Sequence, residues 1–396
     1  MDPIVIVGSG LAGYTLAREL RKLDSGVPLT ILSRDDGSFY SKPMLSNALA
    51  AGKSPRQIAS ASGQDMAAQL QARILSGIEV TAVDTGKKFV YAGGLKLPYS
   101  KLVLALGADA IRPELAGDAS DALLSVNDLG DYARFRGAIE RKSKVALLGA
   151  GLIGCEFAND LLDAGYAVHI IDPSLRPLGS LLPEAAATRL KHALAEIGAV
   201  WHLGRTARAL FHEAAGLRLE LDDGSLLKAD AVLSAIGLRP RIRVAQDSGL
   251  KVGRGIVTDA YLRTSAADVY ALGDCAEVDG KVLPYVLPLM QSARALAKTL
   301  AGAATAVVFP AMPIVVKTPA VPVVACPPPT ANGSWKLTED VEGLEAKFES
   351  ASGDTLGYVL LGRATSRKQA LTRMVQSAPS LGHLSSRQAA AMSRLA

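Results

Sequence analysis

The sequence predicts an α/β protein built on two Rossmann-like dinucleotide-binding domains, followed by a smaller α+β domain. Three observations carry that prediction. Two Gly-x-Gly-x-x-Gly runs, each launched from an apolar stretch, lie about 140 residues apart in the chain. Two further apolar segments, Lys101-Leu102-Val103-Leu104-Ala105-Leu106-Gly107-Ala108 and Ala235-Ile236-Gly237-Leu238-Arg239-Pro240, read as a strand running into a glycine turn. Beyond Val308, prolines separate a series of short apolar runs that read as a sheet of their own.

The first fingerprint is Gly8-Ser9-Gly10-Leu11-Ala12-Gly13 after Ile4-Val5-Ile6-Val7, and the second is Gly149-Ala150-Gly151-Leu152-Ile153-Gly154 after Val145-Ala146-Leu147-Leu148. In each, the first glycine permits a tight turn from a buried parallel strand. The second lets backbone approach a pyrophosphate, and the third lets the helix pack against the strand. The helix N-terminus then presents unpaired N–H groups and partial positive charge to phosphate. One such hexapeptide is weak, because glycine turns are common. Two in strand–helix context imply two dinucleotides and electron traffic between them.

The remaining elements follow in order. A helix runs to about Lys22, a second strand covers Pro28–Leu32, and a turn-rich segment spans Asp35 to Pro55. Another strand ends at Asp268-Val269-Tyr270-Ala271-Leu272-Gly273-Asp274, and Pro288–Arg294 reads as a helix start with proline at its first position. In the C-terminal part, Ile314–Lys317, Val321–Ala325, Lys336–Thr338, Leu344–Phe348 and Leu356–Leu361 are expected strands. The expected domains are 1–110 with 238–310, 111–237, and 311–380, with 381–396 as a mobile tail.

Composition narrows the class. A chain of 396 residues suits two or three domains, and its alanine-rich apolar runs suit buried parallel sheets. The longest apolar stretch, Thr305 to Cys326, contains Pro310, Pro313, Pro319, Pro322 and Lys317, so it is not a membrane span. With a first strand beginning by Ile4, no secretory leader is expected and the protein reads as cytoplasmic. Cys155, Cys275 and Cys326 match no metal or dithiol spacing and read as small buried residues. No histidine is assigned to chemistry, and no metal is expected. From Arg363 onward there are six basic residues and no acid; without them 37 basic residues face 38 acidic ones. That end either steers an acidic partner or forms a solvated helix. Nucleic acid is a poor candidate, since the tail carries no aromatic stacking residues.

The order of these elements resembles the two-dinucleotide-binding flavoprotein reductases, in which an FAD domain is interrupted by an NAD domain and followed by an interface domain. The mark after the fingerprints is Tyr270-Ala271-Leu272-Gly273-Asp274, although Gly-Asp is also an ordinary turn dipeptide. The resemblance implies that Asp274 accepts hydrogen bonds from the flavin ribitol, with Gly273 allowing close approach. Tyr40-Ser41-Lys42-Pro43-Met44-Leu45-Ser46, Gly151-Leu152-Ile153-Gly154-Cys155-Glu156-Phe157-Ala158-Asn159-Asp160-Leu161 and Val316-Lys317-Thr318-Pro319-Ala320 are similar to the rubredoxin–NAD(+) reductase family. So are Asn127-Asp128-Leu129 and Tyr285-Val286-Leu287-Pro288-Leu289-Met290. That resemblance implies FAD and NADH as cofactors, rubredoxin as the acidic iron–sulfur acceptor, and supply of an alkane hydroxylase.

Cofactor choice is read from the strand after each fingerprint. Asp172 lies 23 residues beyond Gly149, where an acid bonds a ribose 2′-hydroxyl and repels a 2′-phosphate, so NADH is expected over NADPH. Arg176 nearby softens that preference. After the first fingerprint the strand ends Leu32-Ser33-Arg34 with no acid, and Asp35 and Asp36 lie just beyond. Ser33 remains able to bond a ribose hydroxyl, and Arg34 to lie over adenine.

Around the flavin, the resemblance places Lys42 and Lys317, whose alternative reading is surface charge. A cation at ~4 Å and an effective dielectric near 20 contributes roughly 4 kcal/mol, on the order of 90 mV for a two-electron couple as an upper figure. Glu156 is expected in the first helical turn, either compensating the helix dipole or lying between nicotinamide and flavin with Lys42 as its candidate partner. Helix 288–294 is expected to aim its N-terminus at the flavin carbonyl edge, with Val286 just before it. Pro43, Val80, Ala105, Gly107 and Gly237 complete the cofactor-binding set. Relatives serving Rieske-type ferredoxins differ around Lys42 and Lys317, and peroxidase, oxidase and disulfide-reductase relatives need a cysteine in Tyr40–Asn47, where there is none. The alternatives are an NADH-dependent ferredoxin reductase of a Rieske-type oxygenase and a redox-responsive FAD/NAD interaction protein.

Overall fold

The computed structural model describes residues 1–140 and 144–377. The expected tail therefore lies outside the described residues. The described residues form two compact units: 1–42, 59–109 and 239–310 in one, and 43–58, 110–140, 144–238 and 311–377 in the other.

In the first unit the four-residue strand Ile4–Val7 is buried throughout and lies at the centre of a five-stranded parallel sheet. Its neighbours are Leu29–Leu32, paired Val7 to Leu32, and Lys101–Leu104, paired Val7 to Leu104. Arg73–Leu75 and Val269–Ala271 close the two edges. An all-parallel sheet needs both faces covered, which explains unbroken apolar strands. Helix Leu11–Leu23 buries Ala12, Gly13, Tyr14, Leu16, Ala17 and Leu20 on one stripe, and packs against helix Val286–Leu300.

That second helix begins earlier than its sequence suggests. Tyr285 is the N-cap, Val286 is the first helical residue rather than a flanking one, and Pro288 is the third. A proline there costs no hydrogen bond, because N–H groups in the first turn have no intrahelical acceptor.

The second unit contains another five-stranded parallel sheet, in the order Ala199–Leu203, Ala167–Asp172, Lys144–Leu148, Ala231–Ser234, Leu123–Ser125. The same unit holds a five-stranded antiparallel sheet, in the order Ile314–Val316, Val323–Cys326, Thr355–Gly362, Gly343–Glu349, Ser334–Glu339. All five expected C-terminal strands are present. Helix Lys368–Ser377 covers this sheet by burying Leu371 and Val375 against Val324, Tyr358 and Leu360.

Residues 43–58 belong with the second unit. The carboxylate of Asp160 on helix Leu152–Asp163 accepts the backbone N–H groups of Leu49 at 2.9 Å and Ala50 at 3.0 Å. No described helix is long and apolar enough to cross a membrane. Cys155, Cys275 and Cys326 are free and buried, and burial pushes the Cys275 and Cys326 thiols up to about 11 and about 12. At neutral pH they are inert thiols rather than nucleophiles.

Candidate functional site

Both fingerprints take one local form, with a clear division of labour among their glycines. Gly8 has φ +121° and Gly149 φ +111°, and a Cβ on them would lie 2.1 Å from the Ala105 carbonyl oxygen and 2.5 Å from that of Ala235. A Cβ on Gly13 or Gly154 would lie 1.9 or 2.0 Å from the carbonyl of its own first glycine. These four glycines are required by the protein's own backbone. The middle glycines, Gly10 and Gly151, are different: each is a helix N-cap, and a Cβ there would meet nothing within 4 Å.

Neither helix has a side-chain N-cap bond or an acid in its first turn. The N–H groups opened by Leu11 and Ala12 in one helix, and by Leu152 and Ile153 in the other, are therefore left for an external anion. Space above a glycine N-cap with uncommitted donors fits a pyrophosphate in both units.

In the first unit, Gly273 (φ +79°) brings the Gly273–Cys275 turn against the fingerprint helix, where its Cβ would stand 2.9 Å from that of Ala12. Asp274 is placed there, with the Lys42 ammonium 3.9 Å from its carboxylate. Ala105 pairs with the strand end, its N–H donating to Val7 at 2.8 Å, and Gly107 turns the chain with φ +73°. Val80 is buried in the core, and Val286 is exposed at its helix start. Arg34 is exposed at the end of the second strand, and Ser33 is buried there. The acid that the strand end lacks is close by: the Ser33 hydroxyl donates to Asp35.

In the second unit, Asp172 ends its strand with both oxygens engaged. Oδ2 accepts the Ala150 N–H of the fingerprint at 2.6 Å, and Oδ1 that of Ser174 at 2.7 Å. Gly237 (φ +124°) follows the Ala231–Ser234 strand. Arg176 lies 3.9 Å from Glu184 in a largely solvated pair.

Helix Leu152–Asp163 carries a dense polar cluster. Glu156 is its fifth residue and so lies in the second turn, not the first as its spacing from Gly154 suggested. Dipole compensation, which fades beyond the first turn, does not account for it. Its carboxylate is almost fully buried. Oε1 accepts the backbone N–H of Lys317 at 2.9 Å, while Oε2 receives the Ser46 hydroxyl and the Lys317 ammonium, both at 2.5 Å. The same ammonium donates to Ser46 Oγ at 2.7 Å and to the Pro43 carbonyl at 2.5 Å. All three of its protons are thereby committed. Three residues on, Asn159 Oδ1 accepts the Ala320 N–H at 3.0 Å, and Asp160 holds Leu49 and Ala50. Burial raises the Asp160 pKa, partly offset by those two N–H bonds.

The i, i+3, i+4 spacing of Glu156, Asn159 and Asp160 puts them on one helical face, where they bind segment 43–58 and the chain around 317–320 to one helix. Glu156 and Lys317 are expected from the sequence, but their mutual bond is not, and neither are roles for Ser46, Asn159, Asp160 and Asp35. The available signal was polar residues interrupting an otherwise apolar helix, which seldom stay buried without a partner.

Comparison with known proteins agrees with this layout. Residues 2–299 match the model of the pyridine nucleotide-disulphide oxidoreductase family, and residues 306–375 match a rubredoxin binding C-terminal domain. A rubredoxin-NAD(+) reductase of Alcanivorax borkumensis is 51% identical over 375 residues, covering 94% of this chain and 98% of that protein. One from Acinetobacter baylyi is 47% identical over 381 residues, covering 94% and 97%. Among solved structures, a ferredoxin reductase from Rhodopseudomonas palustris superposes with a TM-score of 0.87 over 100% of this chain and 98% of its own, at 22% identity. At that identity the likeness speaks for the fold.

Proposed function

The chain belongs to the pyridine nucleotide-disulphide oxidoreductase family, and from that premise we propose that it carries electrons from NADH through FAD to rubredoxin. The observation that carries this reading is the sequence of the C-terminal sheet domain, which matches a rubredoxin binding domain, in a chain about half identical to a rubredoxin-NAD(+) reductase. The enzyme is an NADH-dependent flavoprotein reductase. Bound FAD would supply the chemistry that links a hydride donor, NADH, to a one-electron iron–sulfur acceptor.

The protein's contribution is to bind and orient two cofactors. Gly8, Gly10 and Gly13 with Asp274 hold FAD in the first unit. Gly149, Gly151 and Gly154 with Asp172 hold NADH in the second. The Asp172 carboxylate is fixed by the Ala150 and Ser174 N–H groups, so it presents a set negative charge that disfavours a 2′-phosphate. Glu156, Lys317 and Lys42 are the charged residues we assign to the reacting region. Lys317, with its ammonium protons committed to Pro43, Ser46 and Glu156, acts there by charge and position rather than as a proton donor.

The same proposal places the protein in the cytoplasm, supplying rubredoxin to an alkane hydroxylase. Steady-state NADH oxidation with rubredoxin or a plant-type ferredoxin as acceptor tests it. Turnover with rubredoxin exceeding that with ferredoxin supports the assignment, and the reverse order moves the protein to ferredoxin-linked oxygenases.

A further inference from the structure

The two nucleotide units share a register, which allows one to be read against the other. Val7 pairs with Leu32 as Leu148 pairs with Ile171, and the Gly8 N–H donates to Leu32 as the Gly149 N–H donates to Ile171. Ser33 thus occupies the place of Asp172, and Ser9 the place of Ala150. In the second unit, the strand-end carboxylate binds the fingerprint directly through the Ala150 N–H. In the first unit, the same two positions are bridged by hydroxyls: Ser9 Oγ and Ser33 Oγ are 2.5 Å apart and both are buried.

That bridge ends on a carboxylate. Ser33 Oγ donates to Asp35 Oδ1, Ser9 Oγ lies 3.1 Å from the same oxygen, and the Gly37 N–H reaches it at 3.0 Å. Each hydroxyl has one proton: that of Ser33 goes to Asp35, and that of Ser9 goes to Ser33 or to Asp35 itself, so both hydroxyls end on the carboxylate. The backbone is fixed as well, because the Gly77 N–H donates to the Asp35 carbonyl and the Ile78 N–H to that of Ser33. None of these bonds uses Oδ2, and Asp35 is exposed. One oxygen is anchored to the phosphate-binding turn and the other is left for a ligand.

We propose that Asp35 supplies the carboxylate that binds the adenosine ribose hydroxyls of FAD, held for that task by Ser33 and Ser9. The acid missing from the strand end is thereby replaced by one two residues later. This inference rests on the reading that the first unit binds FAD.

The test uses apoprotein stripped of FAD and reloaded with FAD, or with an analogue whose adenosine ribose lacks its 2′- and 3′-hydroxyls, with Kd read from flavin fluorescence. Wild type is expected to bind the analogue roughly 10- to 100-fold more weakly than FAD, as befits lost bonds to a charged acceptor. Asp35→Asn is expected to weaken FAD by a similar factor and to bind FAD and the analogue alike. Asp36→Asn, whose carboxylate accepts the Ser38 N–H and hydroxyl, is expected to leave both constants unchanged. Losses that multiply in Asp35→Asn, or an equal effect from Asp36→Asn, would overturn the proposal. Failure of the wild-type apoprotein to take up FAD at all would instead overturn the FAD reading itself.

Discussion

The Lys317 ammonium stands 2.5 Å from Oε2 of Glu156, while the backbone N–H of the same lysine donates to Oε1. Both oxygens of a buried carboxylate are therefore engaged by one residue from 161 positions away. The relationship is electrostatic and architectural together, since it fixes the start of the C-terminal domain to the helix that follows the second fingerprint.

Removing one partner of such a pair leaves the other uncompensated. Lys317→Ala is expected to destabilise the protein by about 3 kcal/mol, because the buried Glu156 loses its cation. The double variant Lys317→Ala with Glu156→Gln is expected to recover much of that loss. Urea denaturation of the three proteins measures it, and additive losses would show that the pair is not coupled.

On the proposed placement at the flavin, Lys317 and Glu156 together tune the potential less than the lysine would alone. An isolated cation would contribute on the order of 90 mV as an upper figure, but Glu156 offsets part of that field. Lys317→Ala removes the cation and leaves the Glu156 charge uncompensated, so it is expected to lower the flavin potential by several tens of millivolts, up to about that ceiling. The double variant is expected to lie nearer wild type. Spectroelectrochemistry reads both, and an unchanged potential in Lys317→Ala would remove the lysine from the reacting region.

The glycines give a separable pair of outcomes. Gly149→Ala forces a Cβ to within 2.5 Å of the Ala235 carbonyl at φ +111°, so loss of folded protein is expected. Gly151→Ala meets no protein atom within 4 Å. That variant is expected to fold and retain FAD while its KM for NADH rises about tenfold, a cost near 1.4 kcal/mol. Normal KM in Gly151→Ala would place the pyrophosphate elsewhere.

Much of this arrangement was legible in the sequence, and the part that was not has one physical cause. The fingerprints are local: glycine spacing, an apolar strand before and a helix after suffice to place Gly8 and Gly149 in their turns. The bond from Glu156 to Ser46 spans 110 positions, and no local periodicity encodes a partner that distant. Asp35 escaped for a smaller reason. A strand-end acid is sought at the position of Ser33, and only the folded turn shows a carboxylate two residues later returning to it. The early start of helix Val286–Leu300 was hidden by Pro288, which marks a first turn without marking its first residue.

His169 and His202, which received no role from sequence, stack with ring nitrogens 3.0 Å apart on neighbouring strands. Burial, first of all, holds both below the ordinary histidine value of 6.5. Depressed histidines bind fewer protons folded than unfolded, so the folded state is favoured fully above pH 6.5 and loses stability as pH falls through that value. The thermal midpoint is expected to drop as the pH is lowered through this window, and to drop less in a His169→Gln, His202→Gln variant. Parallel pH profiles would show that the pair is not the source.

The most direct test of the account is stopped-flow reduction of the FAD-loaded protein by NADH, followed by mixing with rubredoxin or a plant-type ferredoxin. Fast bleaching of the flavin by NADH is expected, then rapid reoxidation by rubredoxin and slow reoxidation by ferredoxin. Fast bleaching followed by slow return of electrons to rubredoxin would contradict it.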